Sequence, residues 1–162
     1  MELITTNLAQ LNALKDVIAE LGDRQYAAAS KLPQEASIGR HSRHVLEHYS
    51  QLILALKNGL LDYSERRRDP ILETQPQAAL TRIDEIQETL GAIDSPYAHP
   101  LIYQSGTTRL ATNLARELDF VCSHTIHHLA LIRIIMTDFG VEAEPSIGVH
   151  ASTLEYQQKC AP

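Results

Sequence analysis

The chain predicts an all-α fold: an antiparallel four-helix bundle with long loops and a non-helical C-terminal tail. Two observations lead there. Apolar residues recur at helical spacing in four separate stretches. Aromatic residues make up only 5% of the 162 positions and Trp is absent, so the core must be built from Leu, Ile, Val and Ala, which suits helices better than a β-sandwich.

The first helix is read from Ile4, Leu8, Leu11, Leu14, Ile18 and Leu21, with Gly22 as its stop. Asp23 to Ala36 contains Pro33 and reads as a connection with room for a short helical turn. It ends at Ser37, a suitable N-cap. The second helix runs from about Ile38 to Leu60 on the apolar positions Val45, Leu46, Leu52, Ile53 and Leu56, and "LDYSERRRDPILE" after it reads as a loop stopped by Pro70. Thr74-Gln75-Pro76-Gln77 has the form of a capping box with proline in the first turn, and Ala79, Ile83, Ile86, Leu90 and Ile93 carry the third helix at steps of 4, 3, 4 and 3. Asp94 to Thr108, around "PLIYQS", is a loop long enough to hold an extended segment or to cover part of a site. The fourth helix starts near Thr108 or Thr112 and runs to Phe139 before Gly140. From about 141 the tail lacks a long period and is expected to wrap over the surface.

A chain of this length suits one domain with one core, spanning 1–162. The net charge is −6 with histidines neutral, and the only basic run, Arg66-Arg67-Arg68, is flanked by Glu65 and Asp69; this argues against nucleic-acid binding. The N-terminal stretch is amphipathic and interrupted by acids, unlike a secretory signal, and no segment approaches the apolar length of a membrane span. The expected location is cytoplasmic, without membrane partners. Cys122 reads as a small core residue and Cys160 as an exposed thiol, since two cysteines so placed make neither a disulfide framework nor a metal knuckle.

The histidines need a separate explanation. His41, His44 and His48 lie in the second helix and His124, His127 and His128 in the fourth. His44/His48 and His124/His128 are (i, i+4) pairs whose side chains stack one turn apart, and His128 falls on the apolar stripe itself. A lone histidine there would read as a hydrogen-bonded core residue. Two core-facing groups in register are different, because each unsatisfied buried imidazole costs a few kcal/mol and one metal ion satisfies several together. Two nitrogens from one helix and a third from the other would make a facial site with open positions.

The segments "SIGRHSRHVLEHY" and "RELDFVCSHTIHHLALI" resemble the DinB-like superfamily, also called bacillithiol-transferase-like. Its pattern has a histidine seven residues after a serine, then two apolar residues and an acid, which fits Ser37, His44 and Val45-Leu46-Glu47; a late HxxxH matches His124 and His128. The resemblance implies a four-helix bundle with a divalent transition metal (Zn, Ni or Fe) held by His44, His124 and His128. His41 and His48 bracket His44 and are rivals or outer neighbours, His48 the stronger. It further implies an enzyme that activates a thiol or water, of thiol S-transferase or hydrolase type, acting on a small molecule with a low-molecular-weight thiol as a possible partner. A homodimer is compatible with it.

Glu47, Glu117 and Tyr49 are candidates for orienting groups or proton carriers. The Arg66–Arg68 run reads first as a solvated cluster paired with Glu65 and Asp69, and second as a carboxylate-binding element, with Arg43, Arg116 and Arg133 as further candidates. His99 and His150 fall in loops and read as incidental. The alternatives to an enzyme are a non-catalytic metal-binding or metal-sensing bundle and, disfavoured for want of a haem-attachment motif, a bis-histidine haem protein.

Overall fold

The structure, a computed structural model, describes residues 2–31 and 36–160. It is mostly helical, with a small three-stranded sheet. Helix α1 spans Glu2–Glu20, α2 Asp23–Ala27, α3 Ile38–Asn58, α4 Pro70–Thr74, α5 Pro76–Gly91, α6 Leu114–Asp138 and α7 Ala151–Cys160. Strands β1 (Leu60–Leu61), β2 (Pro100–Ser105) and β3 (Thr108–Asn113) lie in that order, β1 parallel and β3 antiparallel to β2. Pro33 lies outside the described residues.

The four long helices follow their apolar spacing. α1 packs on α5 and α6, and α3 packs on the same two. Between them lies a contiguous core that includes Leu11, Leu14 and Ile18 of α1, Leu46 and Leu52 of α3, Ile83 and Leu90 of α5, and Leu118, Leu129 and Ile132 of α6. Ser37 caps α3 as its position suggests: its hydroxyl accepts the Arg40 N–H at 3.0 Å. At the other end Gly59, at φ +76, takes the left-handed turn and donates to the Ala55 carbonyl. Fully buried Asn7 ties α1 to the others, donating to the Leu118 carbonyl at 3.1 Å and accepting from the Tyr49 hydroxyl at 2.7 Å.

Five expectations are corrected. The fourth helix begins at Leu114, because Thr108–Asn113 is a strand paired with β2 through a two-residue Gly106-Thr107 turn; Gly106 sits at φ +56, the backbone region such turns require. Asn113 then caps α6 by accepting the Arg116 N–H. Pro70 starts a short helix instead of stopping a loop, with Asp69 as its cap, and α5 begins at Pro76 without the side-chain bond of a capping box; the Thr74 hydroxyl turns back to the Pro70 carbonyl. The tail is helical at α7, which buries no residue and therefore shows no apolar period; Leu, Glu, Gln and Lys make it a helix by propensity alone. Finally, an 18-residue window of α6 reaches a mean hydropathy of 1.2, long and apolar enough by composition to cross a membrane, and half of it is buried inside this fold.

The start of α3 is fixed by a close approach. A Cβ added to Gly39 would stand 1.9 Å from the backbone oxygen of Glu73 in α4 and 2.8 Å from the ring of Tyr26. Gly39→Ala is expected to lower stability by about 1–3 kcal/mol, the usual cost of overpacking, measured by urea unfolding; an unchanged midpoint would show that α4 yields freely.

Candidate metal centre

The contact between α3 and α6 brings the two histidine groups together. The Ser37 cap sets where α3 begins, and steps of three and four residues then place His41, His44 and His48 along the face toward α6. From α6, His124 and His128 meet them. His44 Nε2 and His124 Nε2 stand 3.0 Å apart, and His41 Nδ1 and His128 Nδ1 stand 2.9 Å apart. Ring centres are 4.4 Å apart for His48–His124 and 4.6 Å for both His44–His128 and His124–His128.

In each close nitrogen pair a single proton is shared, so one ring donates and the other accepts. His48 donates from Nδ1 to the His44 carbonyl at 2.7 Å, which leaves Nε2 as its lone-pair nitrogen. Among the described residues no carboxylate lies within ion-pair distance of any histidine. Burial holds all five rings below the ordinary histidine range, with neighbouring histidines adding to the effect and the bond to the His44 carbonyl partly offsetting it at His48. His44 falls to about 3 and His48 to about 4.

Neutral imidazoles with convergent lone pairs are what a transition metal requires. Two nitrogens bound at about 2.0–2.1 Å to one ion stand about 2.9–3.4 Å apart for bond angles between about 90° and 109°. The His44–His124 separation of 3.0 Å is within that range. The three histidines whose nitrogens gather most closely are His44, His48 and His124, all within 4.8 Å of one another. His128 adjoins them ring to ring while offering Nδ1 to His41. His127 is exposed and next to this group.

Other candidates separate from the cluster. Tyr49 points its hydroxyl at Asn7 in the core, away from the histidines. Glu47 accepts the Asp69 N–H at 2.6 Å. Glu117, fully buried, accepts from Tyr63, Thr112 and Arg116 at 3.0, 2.7 and 2.8 Å. Arg43 pairs with Glu73, and Arg133 donates to the Pro145 carbonyl in the tail. The His99 carbonyl receives the Leu114 N–H, and His150 bonds Ser152 at the start of α7. Cys122 is buried and Cys160 exposed.

Sequence reasoning missed an aromatic wall beside the cluster. Phe120 stacks on His124 with ring centres 5.7 Å apart, and Tyr63 lies 5.3 Å from Phe120 and 5.1 Å from His48. Phe120 precedes His124 by one helical turn, a spacing legible in advance; Tyr63 sits in a connection and carries no such signal.

The chain is similar to FK506-binding protein 5 of Rhizopus delemar, at 29% identity over 115 residues. The match covers 62% of this chain and 28% of the relative, so the chain spans under a third of that protein's length. No family model matches the chain, and no solved structure matches it.

The depressed titration of the rings has a consequence for folding. An unfolded chain binds protons on its histidines near about pH 6.5, before the folded cluster does. The stability tied to neutral rings is fully present above that value and is lost as the pH falls toward the folded values of about 3 for His44 and about 4 for His48. The melting temperature of metal-free protein in chelator is expected to fall between about pH 7 and pH 5, while most carboxylates stay ionised, and to fall less in His44→Leu. A flat profile would show that unfolding takes up no protons.

Proposed function

We propose that α1, α3, α5 and α6 form a four-helix bundle of the DinB-like type, and that its histidine cluster holds one divalent transition metal through His44, His124 and His128 for reactions of the thiol S-transferase or hydrolase kind. The observation that carries the reading is the 3.0 Å approach of two imidazole nitrogens from different helices, both kept neutral by burial. Such an ion, when bound, supplies positive charge that brings the pKa of a thiol or water toward neutrality.

The chain's own residues support that chemistry in distinct ways. His41 engages Nδ1 of His128 and so orients that ring, the service a second hydrogen-bond partner gives a metal-ligating histidine. His44 and His124 are only half-buried, which leaves the cluster open to a small molecule. Tyr63 and Phe120 supply a flat apolar side against which such a molecule can lie.

A second ligand set has a specific observation in its favour. His48 gathers with His44 and His124 within 4.8 Å, and its Nδ1–H bond to the His44 carbonyl leaves its lone pair on Nε2, where only a long 3.4 Å contact from Arg66 Nη1 competes for it. His44 and His124 are common to both sets.

Elemental analysis of untagged protein purified without a nickel column is expected to find about one transition metal per chain, and almost none in His124→Ala. His128→Ala is expected to lose more metal than His48→Ala; the reverse order would establish the second set. Stoichiometric metal in His124→Ala, or a wild type that neither carries nor rebinds zinc, nickel or iron, would overturn the reading.

A further inference from the structure

The connection from Asp62 to Asp69 is fastened onto α3 directly above the histidines. Buried Glu47 accepts the Asp69 N–H at 2.6 Å, and Gln51, one turn on, donates to the Glu65 carbonyl at 2.8 Å. Tyr63 rests against His48. Within this loop Arg68 takes φ +53, a left-handed conformation uncommon for a residue with a side chain, and such geometry persists where the surroundings impose it.

The result of this fastening is the position of Arg66. Its Nη1 donates to the Tyr63 carbonyl and lies 3.4 Å from His48 Nε2. Its Nε is buried and has no hydrogen-bond partner. The ion pairs among the described residues include none at Arg66, Arg67 or Arg68, so the expected pairing of this run with Glu65 and Asp69 is not formed. Arg43 and Arg68 add like charge nearby; the carboxylate of Glu47 attracts the guanidinium, yet it accepts the Asp69 N–H and makes no ion pair with Arg66.

A partly buried guanidinium carries five N–H donors and cannot shed its charge, and with no carboxylate in ion-pair contact it has donors left for an anion from outside the chain. The flat fork of the group matches a carboxylate in two parallel bonds. Cationic metal binding beside it makes the demand stronger, since the two positive charges repel across a medium poorer in water than bulk solvent. We propose that Arg66 receives a carboxylate of the small molecule that binds at the histidine cluster, so that the site selects acid-bearing thiols over neutral ones. This selection rests on the metal reading given above.

Mercaptoacetate and 2-mercaptoethanol share a thiol and differ in the acid group. Titrated calorimetrically into zinc-loaded protein, mercaptoacetate is expected to bind about ten-fold more tightly than 2-mercaptoethanol. Arg66→Ala is expected to bring the two to within about two-fold, with Arg66→Lys intermediate and Arg67→Ala like wild type. Zinc stoichiometry and melting temperature, measured on each variant, separate lost recognition from lost folding. Equal affinities in the wild type, or a preference that survives in folded Arg66→Ala, would overturn the proposal while leaving the metal reading intact. Should the wild type take up no zinc, the metal reading fails alone, and acetate is added to the metal-free protein. Movement of the His48 ring resonances that vanishes in Arg66→Ala would then sustain the anion site, and unmoved resonances would end it.

Discussion

Five imidazoles share the contact between α3 and α6, and they can do so only if nearly all remain uncharged. Two protonated rings at these separations would repel strongly in a half-buried space, and no carboxylate stands by to offset them. Neutrality in turn leaves lone pairs facing one another, as at His44 and His124, where one proton must serve two nitrogens. The arrangement is thus poorly suited to being a plain core and well suited to accepting an ion that uses those lone pairs.

Such a cluster needs a frame that does not slide, because a shift of one residue along either helix would rotate the rings away. The frame is polar as well as apolar. Asn7 of α1 bonds the backbone of α6 and the hydroxyl of Tyr49 on α3, and the Thr125 hydroxyl adjoins Tyr49 from α6, so three helices are registered by one buried network close to the histidines. Each member of that network finds partners inside the protein. Burying it therefore costs little, whereas any change of register would leave polar atoms unpaired.

Much of this was legible in the chain, for reasons that also explain the rest. Long helices announce themselves through apolar spacing, and the Ser37 cap and the histidine register follow from the same period. The resemblance suggests which rings bind but not how they group; the closeness of His48 to His44 and His124 depends on the rotation of α3 against α6, which no single helix encodes. The hairpin was missed although Gly106-Thr107 is a usable turn signal, because the threonines after it also suit a helix start. Helix α7 left no trace, since a helix that buries nothing has no apolar pattern to show. Arg66 was visible only as one of three charges, and what distinguishes it is tertiary: Glu47, Gln51 and Tyr63 carry it to the cluster while Arg67 next to it is not so held.

The placement of the carboxylates completes the picture. Glu47 and Glu117 are buried acids close to the cluster in sequence, yet neither contacts a histidine: one fastens the arginine loop, and the other gathers Tyr63, Thr112 and Arg116 at the junction of β3 and α6. With both acids committed to holding structure, the orienting bonds to the rings come from a backbone carbonyl at His48 and from His41 at His128. These partners are neutral. An ion held here would keep its full double charge, with Arg66 adding to it, and the negative charge that balances the site would have to arrive with the ligand. Neutral rings beside a guanidinium that has no carboxylate in ion-pair contact make a patch whose chemistry favours an anionic ligand over a neutral one.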